Sequence, residues 1–158
     1  MFSFDFEKKV AQLPDGGIHP FSTTSMHTLE KVVIGLLAEY PKSRNRLLYI
    51  ADGITTQLAL FRTVEKVTKQ KWSRISVPIV EEVNKANQKI SSGIFGGQEF
   101  KAVLTAPFFS GMTVWRRLDH ALVGVEDDDL IDPTDEMTRV VSEIVESRAE
   151  PSSRRSVL

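Results

Sequence analysis

The chain has 158 residues, a formal net charge of −1 and no cysteine. That length suits one domain with room for a tail. The lack of cysteine excludes disulfides, thiolate metal sites and thiol catalysis, and fits a reducing compartment.

The chain opens with MFSFDFEKKV, whose acids interrupt the phenylalanines, so it does not read as a signal peptide and the protein is not expected to be secreted. Phe2, Phe4 and Phe6 alternate with strand-like period, while EKKVAQL suits a short helix equally well. PDGG at 14–17 signals a turn, and Ser22 to Ser25 offer helix caps. Leu29, Val32, Val33, Leu36, Leu37 and Tyr40 then recur at helical spacing, which predicts a helix over 26–40, closed by Pro41. Its apolar stretch VVIGLLA is too short to span a membrane.

LLYIA at 47–51 reads as a buried strand, broken by Asp52 and Gly53. Thr55 or Thr56 caps a helix running to about Gln70, with Leu58, Phe61, Val64 and Val67 on one face. RISVPIV at 74–80 reads as a strand, and Pro78 places it at an edge or ends it early. VEEVNKANQKI is helical, SSGIFGG is a glycine-rich break, and EFKAVLTA at 99–106 reads as a third strand. MTVWRRLDHALVGV at 112–125 carries apolar residues at helical spacing. The alternation predicts an α/β fold: a small three- to four-stranded, mostly parallel sheet flanked by helices, over residues 1–125.

Past Val125 the composition changes. Residues 1–125 hold 16 Lys+Arg against 11 Asp+Glu, a net +5, and residues 126–158 hold 4 Arg against 10 Asp+Glu, a net −6. Residues 126–132 read as an acidic linker. Asp132 and Pro133 form a helix start, and Met137, Val140, Val141, Ile144 and Val145 give the helix over 133–148 an apolar stripe suited to docking on a partner or back on the core. Residues 149–158 read as a mobile terminus, whose final ArgSerValLeu suits a groove that captures a carboxylate.

Catalytic signatures are sparse. His19, His27 and His120 lack metal-ligand spacing, and the sequence holds no GxxxxGK[ST], GxSxG or HExxH. GIFGG at 93–97 lacks the spacing of a dinucleotide fingerprint. No metal and no cofactor are expected. One loop stands out as an alternative anion or nucleotide site: Asp52, Gly53, Thr55 and Thr56, at the carboxyl end of the expected first strand and the start of a helix. A turn followed by a helix cap accounts for the same residues. TAPFFSG, with Thr105 and Ser110, is a second such loop.

Basic residues cluster around aromatics. Lys42, Arg44 and Arg46 form one group; Lys69, Lys71, Trp72 and Arg74 a second; Arg116 and Arg117, beside Trp115, a third. Cations of this kind bind phosphate, and an adjacent aromatic stacks on a base, so RNA contact is expected if the clusters share a face. The tethered acidic segment would then compete with phosphate.

A compact core of about 125 residues followed by an acidic segment starting at EDDD resembles the small packaging and assembly proteins of double-stranded-RNA bacteriophage (cystovirus) procapsids. The resemblance rests on layout and carries no residue roles. It implies a non-enzymatic protein inside a virion or the cytoplasm, which forms a dimer, aids capsid assembly and RNA packaging, and binds protein partners and RNA.

Overall fold

A computed structural model describes residues 3–149. The terminal ArgSerValLeu and all but the first residue of the expected 149–158 terminus lie outside them. The fold is mixed α/β. Strands β1 (Ser3–Asp5) and β2 (Val10–Pro14) form a hairpin, and β2 pairs in parallel with β5 (Ser73–Val77), giving a three-stranded sheet in the order β1-β2-β5. EKKVAQL is thus turn and strand: the Asp5 carboxylate accepts the Glu7 and Lys8 N–H groups and closes the hairpin. As Pro78 requires, β5 lies at the edge and ends at Val77. A second, antiparallel pair joins β3 (Pro20–Thr23) and β4 (Gly53–Thr56). The sheet is therefore small, as expected, but parallel pairing is confined to β2 and β5.

Helix α1 (Met26–Ala38) is capped by the Ser25 hydroxyl, which accepts the Thr28 N–H. Pro41 does not end the helical path: it lies in the first turn of a separate short helix, α2 (Tyr40–Ser43), where its missing N–H costs nothing. Thr56 caps α3 (Gln57–Thr68) through the Ala59 N–H. Helices α4 (Ile79–Ser91) and α5 (Gly97–Phe109) pack against each other, and α6 (Pro133–Ala149) packs against α3.

Three expected elements differ. Residues 47–51 do not join a ladder. The Tyr49 N–H donates to the Asp119 carboxylate (3.0 Å), the Ala51 N–H to His120 Nε2 (3.3 Å), and the Asp119 N–H to the Tyr49 carbonyl (2.8 Å). Side-chain acceptors stand where strand neighbours would be. EFKAVLTA belongs to helix α5, whose Phe100, Val103, Leu104 and Phe108 recur at helical spacing. Residues 112–125 form no helix beyond a 3-10 turn at His120–Val123; the Thr113 carbonyl and Trp115 N–H bond to Ser22 of β3.

Two apolar clusters hold these pieces. In the first, Ala11 and Leu13 of β2, Phe61 and Val64 of α3, Trp72 and Val141 of α6 are buried together. In the second, Val32 of α1 meets Val123 and Val125. Gly35 allows this approach: a Cβ there would lie 1.8 Å from the Val123 carbonyl oxygen. The acidic segment is folded onto the body. Asp129 pairs with Lys31, the Ile131 N–H donates to Asp52, and Asp132 caps α6 through the Thr134 N–H. Among the described residues, no helix is long and apolar enough to cross a membrane.

Candidate functional site

Asp52 is a structural node. One carboxylate oxygen accepts the Ser25 N–H at the start of α1; the other accepts the Thr28 hydroxyl (2.5 Å) and the Ile131 N–H (3.3 Å). A helix N-terminus attracts anions, and here the anion is the protein's own side chain. Gly53 and Thr55 lie within β4, with Thr55 buried, and the Thr56 hydroxyl is committed to capping α3. A Cβ on Gly53 would lie 3.1 Å from the Pro133 ring, so glycine admits the start of α6. The helix-cap reading thus holds for Thr56, whereas Gly53 and Thr55 belong to a strand and not to a turn.

Of the two tryptophans beside basic residues, Trp115 is half-buried against Tyr49 and lines one hollow with Arg116, whereas Trp72 offers its cluster no stacking platform. Trp72 is buried, edge-on to Phe4 and Phe6, and its indole N–H donates to Thr68 (3.1 Å). Lys69 and Lys71 line a shallow depression at the end of α3, whereas Arg116 lines depressions beside Ala51–Ile54 and Ala121–Asp127. Arg74 is exposed on edge strand β5; Lys42, Arg44, Arg46 and Arg117 are exposed as well. Lys42 pairs with Glu39 at 2.6 Å. Of the docking stripe, Val141 is in the protein's own core and Met137 packs against it. Met137 and Val140 also line a 240 Å³ hollow beside Asp52, while Ile144 is half-buried and Val145 exposed.

A groove of about 330 Å³ opens elsewhere. Because β2 and β5 run parallel, Pro14 and Val77 end on the same edge of the sheet. That edge, outside the carboxyl ends of parallel strands, is where α/β sheets collect ligands. Pro14, Val77 and Ile79 form its floor with Val83 and Ala102, while Gln12, Gln98 and Thr105 supply neutral polar groups. Its charged residue is Glu82, whose Lys85 partner (2.9 Å) holds it below the usual carboxylate range. Asp15 anchors this end by accepting the Ile79 N–H at the start of α4. The sequence had placed its ligand loop after residues 47–51, which are not a strand. The same rule applied to VAQLP-DGG and ISV-P would have located this groove; of the residues singled out beforehand, Thr105 lines it.

The sequence is similar to that of a curated fungal oxidoreductase. This relative is Oxidoreductase poxI of Penicillium oxalicum, 24% identical over 132 residues that cover 80% of this chain and 42% of the relative. The protein of that name from strain 114-2 matches equally. The chain thus spans less than half the length of the curated relatives it matches. No family model and no solved structure matches.

The glycine-rich loop at 91–97 does not fit a dinucleotide. Glu99 lies against the α5 N-terminus, with its carboxylate 2.7 Å from where a Cβ on Gly96 would sit, and it is paired with Lys89 at 2.8 Å. That lysine and the helix N–H groups lower its pKa. A carboxylate therefore stands where a phosphate would bind.

Proposed function

We propose that this chain is the substrate-binding portion of an oxidoreductase, and that its groove holds a small, uncharged organic molecule. The position of that groove carries the reading: it lies at the shared carboxyl edge of β2 and β5, with an apolar floor and neutral hydrogen-bonding groups at Gln12, Gln98 and Thr105. The likeness to a fungal oxidoreductase supports the reaction class.

The test is a thermal-shift panel of uncharged ketones and alcohols, run on the natural chain and on Ala102→Phe, which fills the groove. A stabilising hit lost in Ala102→Phe is the expected outcome. Hits that survive the substitution, or no hits at all, overturn the reading.

A second reading, an assembly module that contacts RNA, is favoured by one observation: Lys66, Lys69 and Lys71 rim one depression. Its readout is single-stranded RNA affinity, with Lys69→Glu and Lys71→Glu as the variants. Affinity unchanged by both would remove it.

A further inference from the structure

Helices α4 and α5 pack on each other, and each turns one face to the groove at the carboxyl edge of β2 and β5. On α4 that face carries Ile79, Glu82 and Val83, at i, i+3 and i+4. On α5 it carries Gln98, Ala102 and Thr105, at i, i+4 and i+7. Such spacing sets each trio on one side of its helix.

The polar groups of this lining are one-sided. Thr105 has a single hydroxyl proton, and the Lys101 carbonyl one turn back takes it at 2.8 Å. Only its lone pairs are left for a ligand. Glu82 is ionised, because the hydrogen bond and charge of Lys85, 2.9 Å away, hold its pKa below the usual carboxylate range. An ionised carboxylate accepts and cannot donate. Gln12 and Gln98 each carry a carbonyl and an NH2 group, so they serve either kind of ligand. Two of these polar side chains therefore accept only a donor, and neither of the others is restricted the opposite way. A ketone oxygen set against Glu82 or Thr105 would face lone pairs in place of the water it gave up. A hydroxyl there donates, and its bond to the carboxylate is of the stronger, charge-assisted kind. An ammonium group gains less: Lys85 already balances Glu82, and the apolar floor offers nothing in place of its water.

We propose that the groove takes a small alcohol in preference to the ketone of the same skeleton, with the hydroxyl donating to the Glu82 carboxylate. The assignment rests on the groove being the substrate site, and it names the class of substrate.

The test is a ligand-observed NMR titration of the full chain with cyclohexanol, cyclohexanone and cyclohexylamine. Cyclohexanol should bind tightest, roughly tenfold better than cyclohexanone. Glu82→Gln keeps the side chain's size and adds a donor, so it should close that gap. Ala102→Phe, which fills the groove, should abolish binding; Val83→Trp fills it from α4 if Ala102→Phe does not fold, as circular dichroism decides for each variant. Ketone or amine binding at least as tight as the alcohol and lost on filling the groove would overturn the alcohol assignment alone. So would a gap that persists in a folded Glu82→Gln. Binding of none of the three, or binding that survives a folded, filled groove, would remove the groove as the substrate site and the assignment with it.

Discussion

Replacing Val141 with alanine decides whether the carboxyl-terminal helix belongs to the core or waits for a partner. Val141 is 1% exposed, in a cluster with Ala11, Leu13, Phe61, Val64 and Trp72. The substitution removes two buried methyl groups at about 0.8 kcal/mol each. The cavity left among rigid neighbours from β2 and α3 adds to this, for a total of about 2–3 kcal/mol. For a chain of this size the melting temperature should fall by about 4–12 °C. Val145 is the control on the same helix: it is 41% exposed, so Val145→Ala should cost less than about 1 kcal/mol. Urea titrations followed by circular dichroism measure both. A Val141→Ala midpoint no lower than that of Val145→Ala would refute the argument and return α6 to the role of a detached docking helix.

Other consequences follow from the same contacts. Gly35→Ala gains about 1 kcal/mol of helix propensity, yet its methyl would meet the Val123 carbonyl at 1.8 Å; the net effect on chemical denaturation should be a loss of about 3 kcal/mol or more. Asp52→Ala strands the Ser25 and Ile131 N–H groups and the Thr28 hydroxyl, and should cost about 2–4 kcal/mol by the same assay. Lys31 first, then the Glu126 N–H, lowers the Asp129 pKa, and Arg139 lowers that of Glu136. A depressed carboxylate stabilises the fold above its unfolded pKa and stops doing so as pH falls through its folded one. Stability from these pairs should therefore be full above the ordinary carboxylate range and be lost as pH falls below it through the lowered folded values. Lys31→Met should flatten that acid limb in pH-dependent melts.

Sequence pattern was a good guide where local chemistry and tertiary packing agreed. The stripe of Leu58, Phe61, Val64 and Val67 and the Thr56 cap located α3, and Asp132 with Pro133 located α6. It failed where a short apolar run had two outlets. EFKAVLTA alternates well enough for a strand, but the residues flanking it extend the pattern to 13 helical residues. LLYIA has the composition of a strand, and its partners are the side chains of Asp119 and His120, some 70 residues away. No local signal announces such a contact. For α1 the periodicity gave the helix but not which face is buried: of the predicted stripe, Val32 and Leu36 pack inward while Leu29, Val33, Leu37 and Tyr40 point out. The groove escaped because it forms between strands separated by some 60 residues.

The charge asymmetry of the sequence looks different once these contacts are drawn. The acidic segment is a strap. Asp129 holds Lys31, Ile131 ties to Asp52, Pro133 rests on Gly53, and Glu136 and Glu143 are both bound by Arg139 of the same helix. Among the described residues, Asp129, Glu136 and Glu143 are thereby paired with cations. Deleting residues 126–158 would not isolate an electrostatic effect, because it would also pull Val141 from its socket and expose Leu13, Phe61 and Trp72. The selective perturbation is Asp127→Asn with Asp128→Asn: both side chains are exposed, and neither residue makes an ion pair in the described structure. This double substitution should leave stability within about 0.5 kcal/mol. If the strap opposes polyanions by its field, it should strengthen RNA affinity at low salt and much less at high salt. An affinity unchanged at both salt concentrations would leave the acidic segment a purely structural strap.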